Sequence, residues 1–270
     1  MRRQKNRLPI GVFDSGVGGI SVLVEIIKLL PHEEFIYYAD SINAPYGIKS
    51  ENTIRSLTIK AADFLFKLGV KSLVVASNTA TSAAIKEIRR IFELPVIGME
   101  PAIKPAVELK TNSRIIVMAT PLTLQSKKFN SLVYQYKHLA EIVPIPCPGL
   151  VELIERGNND ENIADYLYNI LSPETNKDIS TVVLGCTHYV LIKREILKVL
   201  GRNINIIDGN CGTARHLKTV LEKEGLLNNT LEDKLQIPLR ANVRFYTSGT
   251  GIEVLKYKQL LQVEGITCES

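Results

Sequence analysis

The chain has 270 residues, which is enough for about two domains at roughly 150 residues each. Its hydrophobic share of 45% and aromatic share of 6% are typical of a globular protein with a real core. Lys and Arg exceed Asp and Glu by 33 − 28 = +5, but Arg2, Arg3, Lys5 and Arg7 supply four of these charges, which leaves 5 − 4 = +1 for the rest and argues against a nucleic-acid-binding surface.

Short β-branched segments alternate with amphipathic helical segments along almost the whole chain. Strands are predicted at residues 10–13, 34–39, 72–76, 95–99, 114–119, 141–145, 181–185, 204–208 and 243–247. Helical patterns lie between them, for example at 20–30 and 51–69, where Gly69 is placed to end the helix in a left-handed conformation. Apolar strands that alternate with helices predict an α/β fold with mainly parallel sheets flanked by helices.

Two segments of the chain resemble each other. Residues 73–79 (LVVASNT) and 182–188 (VVLGCTH) both contain an apolar strand, a small residue, a Ser or Cys, and polar residues that open a helix. Together with the repeated strand–helix order, this similarity predicts two similar domains. We place the first at residues 1–99 with 209–270 and the second at 100–208, and we expect four or five strands in each sheet.

Small polar or reactive side chains follow five of the predicted strands. They are Asp14-Ser15 within DSGVGG, Asp40-Ser41 with residues 43–47, Ser77-Asn78-Thr79, Thr120 to Thr123, and Cys186-Thr187-His188. In open parallel sheets, ligands bind beyond the carboxyl ends of the strands, where helix N-termini offer N–H groups to anions. These residues are therefore the candidate ligand-binding and catalytic residues.

Taken singly, the motifs suggest three other kinds of site, and the sequence supports each of them only weakly. DSGVGGIS followed by Asp40 is similar to a dinucleotide site, but Ser21 stands where Gly or Ala is usual and Asp14 would repel a pyrophosphate. Cys186 and His188 supply only two metal ligands without a second pair, so we predict no metal site. A hydrolytic Cys186 lacks a recognisable triad order, and a buried, inert cysteine is the alternative.

In combination, however, these motifs resemble the cofactor-independent glutamate racemases. The resemblance extends from IGVFDSGVGG through ADSINAPYG and LGCTHYVLI to FYTSG, nearly the length of the chain. The related aspartate and hydantoin racemases share the plan of two cysteines, but DSGVGG and PYG are more similar to the glutamate enzymes. The resemblance implies interconversion of L- and D-glutamate, which supplies D-glutamate for peptidoglycan, with glutamate in a cleft between two domains and commonly a homodimer.

The resemblance also implies residue roles. The two catalytic positions are Ser77, assisted by Asp14, and Cys186, assisted by His188, while Glu155 is a further acid with which Glu152 competes. By the family's pattern, D-glutamate presents its α-proton to position 77 and L-glutamate to Cys186. The implied substrate-binding residues are Asp14, Ser15, Tyr46, Gly47, Asn78, Thr79, Thr120, Thr123, Thr187 and His188.

The chemistry of a racemase supports this arrangement. Mirror-image substrates require a base on one face of the α-carbon and an acid on the other. Thiols suit both roles, since helix N-termini and charged partners make them ionise more easily. Backbone N–H groups at the same helix ends can stabilise the charge that develops on the substrate carboxylate. We predict no cofactor, because this scheme needs no pyridoxal-type electron sink and no lysine stands out for one.

Ser77 stands where the resemblance implies a cysteine. A neutral hydroxyl is a poor base unless it is strongly activated, so we expect impaired turnover with the fold and substrate binding preserved. An inactivating substitution and a natural divergence into a binding or regulatory protein both stay open. A racemase of another acidic amino acid is a further alternative.

The predicted compartment is the cytoplasm. The apolar run LPIGVF stops at Asp14 and is too short for a signal sequence or a membrane span. The four cysteines form no C-x-x-C pair, which is typical of reduced thiols in a chain of this size. We expect no membrane partner and no nucleic-acid partner.

Overall fold

The computed structural model describes residues 5–110, 113–157, 160–175, 177–201, 203–228 and 239–269. Its strands are β1 (Ile10–Asp14), β2 (Glu34–Ala39), β3 (Ser72–Val75), β4 (Val96–Gly98), β5 (Arg114–Ala119), β6 (Glu141–Pro146), β7 (Ile179–Leu184), β8 (Asn205–Asp208), β9 (Leu239–Thr247) and β10 (Ile266–Glu269). Its α-helices are α1 (Ile20–Leu29), α2 (Glu51–Lys67), α3 (Asn78–Ile91), α4 (Ile103–Leu109), α5 (Pro121–Gln125), α6 (Lys127–Tyr136), α7 (Leu150–Arg156), α8 (Asp160–Leu171), α9 (Lys193–Leu200), α10 (Asn210–Glu224) and α11 (Ile252–Val263). Short 3₁₀ helices span Ser41–Asn43, Tyr46–Ile48, Ser172–Glu174 and Thr187–Ile192.

The chain divides into two compact units. The first consists of Met1–Tyr46, Ser50–Met99 and Asn210–Ser270, and the second of Gly47–Lys49 and Glu100–Gly209. Each unit has its own sheet, and every strand pair in the described part of the chain is parallel. The predicted α/β class with mainly parallel sheets is therefore confirmed.

The first sheet has the strand order β10-β9-β2-β1-β3-β4. It contains six strands where we expect four or five, because the sequence pattern predicts no strand at β10. The four residues ITCE mix polar and apolar side chains, so their local pattern is weak, and pairing with β9 makes them a strand. β9 also begins at Leu239, four residues before the predicted start at Val243.

The central strands of this sheet are buried on both faces, as the apolar runs predict. Every residue of β1 and β3 is buried. Ile10 and Val12 share a core with Leu23 and Ile27 of α1 and with residues of α10. Burial of a side chain of this size contributes about 1.5–3 kcal/mol. This packing holds the carboxyl ends of β1 and β3 in fixed positions.

The second sheet has the order β6-β5-β7-β8. β7 begins at Ile179, two residues before the predicted start, and all six of its residues are buried. Val182 and Leu184 share a core with Ile116 of β5 and Leu150 of α7. The sheet thus carries the residues that follow β5 and β7 at one edge.

Two helices end close to the residues that the sequence predicts. α2 ends at Lys67 and not at the predicted residue 69, and Gly69 follows with φ of +80°, the left-handed conformation that we predicted. α1 likewise ends one residue early, at Leu29. None of the helices in the described ranges is long and apolar enough to cross a membrane.

Candidate active site

Three polar segments of the first unit follow neighbouring parallel strands. Phe13 pairs with Val75, and the N–H of Ala76 donates to the carbonyl of Phe13 at 2.7 Å. The N–H of Asp40 donates to the carbonyl of Asp14 at 3.1 Å. The segments beginning at Asp14, Asp40 and Ser77 therefore leave the sheet at the same edge.

Asp14 is held at the N-terminal end of α1. Its side chain is buried, and its Oδ2 accepts a hydrogen bond from the N–H of Gly19 at 2.6 Å. A Cβ on residue 19 would lie 2.5 Å from the Cβ of Asp14 and 2.8 Å from the hydroxyl oxygen of Tyr37, so this position requires glycine. The Asp14 carboxylate thus takes the place that a pyrophosphate would need in a dinucleotide site.

Ser21 has a structural role that the dinucleotide pattern does not allow. Its hydroxyl donates to the carbonyl of Gly18 at 2.8 Å and accepts from the amide of Asn210 at 2.9 Å. It therefore ties the DSGVGG turn to the start of α10. A glycine here would lose both bonds.

Ser77 is the N-cap of the 14-residue helix α3. Its hydroxyl accepts from the N–H of Ala80 at 3.3 Å, and its carbonyl accepts from the N–H of Thr81 at 2.9 Å. The helix N-terminus places partial positive charge beside this hydroxyl. The capping bond uses a lone pair that a base would need to accept a proton.

The side chain of Asn78 has the features expected of a group that binds a polar ligand. It is 3% exposed, and among the described residues neither atom of its side-chain amide has a hydrogen-bond partner. A buried amide without partners costs free energy, so such groups are rare unless they serve binding. Ser15 and Thr79 are also buried and follow β1 and β3 respectively.

The loop after β2 is anchored by its own side chains. The hydroxyl of the buried Tyr46 donates to Oδ2 of Asp40 at 2.7 Å. Burial raises the pKa of Tyr46 well above its usual value, and the hydrogen bond to Asp40 raises it further. The phenol therefore stays protonated and acts as a fixed donor.

Gly47 and Thr120 lie together in the second unit. A Cβ on residue 47 would be 3.1 Å from Cγ2 of Thr120. Thr120 caps α5, and its hydroxyl is 2.9 Å from that of Thr123. Both threonine side chains are buried. This pair of hydroxyls next to a glycine backbone forms a compact polar surface.

Gly185, which precedes Cys186, packs against the end of β5, because β7 and β5 are neighbours in the sheet. The N–H of Gly185 donates to the carbonyl of Met118 at 2.7 Å. A Cβ on residue 185 would be 2.8 Å from the Cβ of Ala119, so the close approach requires glycine. The next residue, Cys186, is thereby fixed in position relative to the sheet.

Cys186, His188 and Glu155, which we call the Cys186 cluster, form a hydrogen-bonded series. Nδ1 of His188 is 3.9 Å from the sulfur of Cys186, and Nε2 is 2.6 Å from Oε1 of Glu155. A carboxylate at Nε2 favours the tautomer with its proton there, which leaves Nδ1 able to accept the thiol proton. His188 is 2% exposed, so water competes little for the hydrogen bonds of its imidazole ring.

The backbone conformations at Ser77 and Cys186 agree closely. Ser77 has φ of −145° and ψ of 123°, and Cys186 has φ of −145° and ψ of 136°. The predicted similarity of the two segments therefore holds at the level of backbone geometry. Both residues project from a parallel strand as it enters the following turn.

The helix predicted after Cys186 needs a correction. Thr187–Ile192 is a 3₁₀ helix, and α9 begins only at Lys193. The N–H of Tyr189 donates to the carbonyl of Cys186 at 3.2 Å, and Tyr189 and Ile192 are both buried. A spacing of three residues suits the three-residue turn of a 3₁₀ helix. This geometry also keeps Thr187 and His188 buried next to Cys186.

The other three cysteines have different surroundings. Burial raises the pKa of Cys147 to about 12, and its thiol donates to the carbonyl of Ile145 at 3.4 Å. Cys211 is exposed and donates to Glu25 at 2.9 Å, and burial raises the pKa of Cys268. Cys147 is therefore a protonated core residue, and Cys186 is the thiol beside an imidazole.

The structure thus groups the predicted residues within each unit. The first unit holds Asp14, Ser15, Tyr46, Ser77, Asn78 and Thr79, and the second holds Gly47, Thr120, Thr123, Glu155, Cys186, Thr187 and His188. Sequence reasoning missed Tyr37, whose hydroxyl donates to the carbonyl of Gly16 at 2.7 Å and so holds the DSGVGG turn. It also missed the part played by Ser248 in holding Asp40. The motif FYTSG was the available signal for Ser248.

The chain is similar to known racemases in sequence and in fold. Residues 11–217 match the model of the family described as Asp/Glu/Hydantoin racemase. A glutamate racemase of Clostridium novyi is 53% identical over 84% of this chain and 88% of its own. Among solved structures, a glutamate racemase of Bacillus anthracis has a TM-score of 0.80 at 31% identity, covering 98% of this chain and 97% of its own. The glutamate racemase of Francisella tularensis in complex with D-glutamate has a TM-score of 0.79 at 30% identity over 98% and 97% of the two chains. The chain belongs to the Asp/Glu/hydantoin racemase family.

Proposed function

We propose that this chain acts on glutamate and interconverts its L- and D-forms by proton transfer at the α-carbon. Membership of the family makes it an amino-acid racemase, an isomerase. The observation that carries the proposal is the pair of strand ends at Ser77 and Cys186, which share one backbone conformation and each bear polar neighbours. A two-base reaction requires one such group for each face of the α-carbon.

Cys186 is the proposed base for L-glutamate. His188 accepts the thiol proton through Nδ1 and so produces the thiolate that removes the α-proton. Glu155 stabilises the resulting imidazolium through its bond to Nε2. When the reaction runs the other way, the same thiol returns a proton to the α-carbon.

Ser77 is the proposed counterpart for D-glutamate, with Asp14 as its helper. The hydroxyl keeps the position but replaces a group that ionises near neutral pH by one that does not. Because the capping bond from Ala80 also draws on its lone pairs, we expect this side to limit turnover. The substrate should still bind, since Ser77 and Cys differ by one atom of the side chain.

The polar groups around each position are the proposed binding groups for an amino-acid dicarboxylate. The side chain of Asn78, the hydroxyls of Ser15, Thr79, Thr120, Thr123 and Thr187, and the backbone at Gly47 are the proposed contacts. The related Francisella enzyme was solved with D-glutamate, which supports glutamate as the substrate class. Aspartate is the competing acidic substrate and is distinguished by direct assay.

The test is the substitution Ser77→Cys. It should raise glutamate racemisation, measured by circular dichroism or coupled oxidation of one enantiomer, by roughly 10²-fold or more, as expected for restoring an acid–base group. Ser82→Cys is the matched control, since it adds a thiol to the same helix, α3, one turn further along. A Ser77→Cys protein that binds glutamate without racemising it would refute the assignment and favour a silent binding homologue.

The cellular setting follows from the family and remains part of the proposal. A glutamate racemase supplies D-glutamate for peptidoglycan, and we propose that this chain does so in the cytoplasm as a homodimer. Sedimentation equilibrium or light scattering of the purified chain measures the oligomeric state. A monomer at micromolar concentration would contradict the dimer.

A further inference from the structure

The motif FYTSG near the end of the chain has no role in the proton transfer just described. Its Ser248 nevertheless reaches the loop after β2, which we define as residues 40–47 and call the Tyr46 loop. The hydroxyl of Ser248 donates to Oδ1 of Asp40 at 2.7 Å and accepts from the N–H of Ile42 at 3.1 Å. Its N–H donates to the carbonyl of Ala39 at 3.0 Å. Ser248 thus makes two hydrogen bonds to the start of this loop and a third to Ala39, the last residue of β2.

Asp40, which Ser248 holds in place, is in turn hydrogen-bonded to Tyr46. Its Oδ2 accepts from the Tyr46 hydroxyl at 2.7 Å, and the amide of Asn43 donates to both carboxylate oxygens at 3.0 and 3.1 Å. Asp40 is 4% exposed, so these donors replace the water that would otherwise solvate the charge of its carboxylate. Loss of the Ser248 hydroxyl would leave Oδ1 with a weaker set of donors and shift the group that holds Tyr46.

A hydrogen bond from Thr247, the last residue of β9, also holds the start of the Tyr46 loop. The hydroxyl of Thr247 donates to that of Ser41 at 3.0 Å, and Ser41 is 2.9 Å from the hydroxyl of Tyr257 on α11. The ring of Tyr257 packs edge-on against Tyr37 at 5.6 Å. Through Ser41, the Tyr46 loop is therefore hydrogen-bonded to β9 and α11, both in the C-terminal part of the first unit.

We propose that Ser248 is a positioning residue for the substrate, acting through Asp40 on Tyr46 and so on the backbone at Tyr46 and Gly47. The proposal rests on the proposed function, because it takes the Tyr46 loop as part of the glutamate site. It assigns the FYTSG motif a role in substrate affinity and not in proton transfer. Ser248 itself touches neither the Cys186 cluster nor Ser77 in this scheme.

The test is a double-mutant cycle between Ser248→Ala and Tyr46→Phe. Calorimetry measures D-glutamate binding, and hydrogen–deuterium exchange with mass spectrometry measures protection of residues 40–47 without ligand. Ser248→Ala should weaken binding about tenfold and speed exchange in the loop, whereas in the Tyr46→Phe background it should change binding less than about twofold. Thr250→Ala is the control, because its hydroxyl lies 3.5 Å from Glu253 and belongs to the same turn.

Ser248→Thr keeps the hydroxyl and should restore binding, which separates the hydrogen bond from a general loss of folding. Equal effects of Ser248→Ala in both backgrounds would overturn the proposal, and so would a lower melting temperature with unchanged binding and loop exchange. If the parent chain binds no glutamate, the proposed function fails. In that case, coupled changes in loop exchange would still establish the anchoring of Tyr46 by Ser248.

Discussion

The hydrogen bond between Glu155 and His188 should control how readily Cys186 loses its proton. Glu155→Gln keeps the shape of the side chain but removes the charge that stabilises an imidazolium at 2.6 Å. A hydrogen bond to a charged group contributes about 1.5–3 kcal/mol. Because about 1.4 kcal/mol is a factor of ten in rate, we expect kcat/KM to fall about 10- to 100-fold.

The assay is racemisation in the Ser77→Cys background, where both positions carry a thiol. The two enantiomers have equal free energy, so a defect at Cys186 must lower kcat/KM equally in both directions. Glu152→Gln is the matched control, since Glu152 lies one turn earlier on α7. An unchanged rate for Glu155→Gln, or the same loss for Glu152→Gln, would refute the reasoning that Glu155 acts through His188.

Three further predictions concern the unmodified site and the stability of the first unit. In heavy water the chain should exchange the α-proton of L-glutamate faster than that of D-glutamate, because Cys186 has a base beside it and Ser77 is a hydroxyl; equal rates by proton NMR would contradict this asymmetry. Gly19→Ala should lower the free energy of unfolding by about 1–3 kcal/mol, since its Cβ would lie 2.5 Å from that of Asp14, and a melting curve like that of the parent would show that the turn can relax. Lys71→Met should cost about 3–5 kcal/mol in urea unfolding because it leaves the Glu33 carboxylate buried without its ion-pair partner, and the added change Glu33→Leu should recover much of the loss; no recovery would argue against an uncompensated charge as the cause.

Local sequence was sufficient for most of the fold. The strands at 34–39 and 114–119 have the predicted bounds, because buried parallel strands are continuous apolar runs with clear ends. The missed strand Ile266–Glu269 lacks such a run and depends on its pairing with β9. The sequence pattern predicts the start of an α-helix at Thr187–Ile192, where the structure has a 3₁₀ helix, because polar residues after a strand favour either form.

Some features of the candidate site likewise follow from the sequence, and others depend on the tertiary structure. The sequence by itself determined which residues follow the strands, since the order of apolar runs and polar turns is local information. Only the tertiary structure decided that Glu155 contacts His188, 33 residues away, and that Ser248 contacts Asp40, 208 residues away. Such contacts depend on the phase of a helix and on which strands become neighbours, and no local pattern encodes either. The identity of Ser77 was evident from the sequence, whereas its use as a helix cap, with a lone pair bonded to the N–H of Ala80, became visible only in the folded chain.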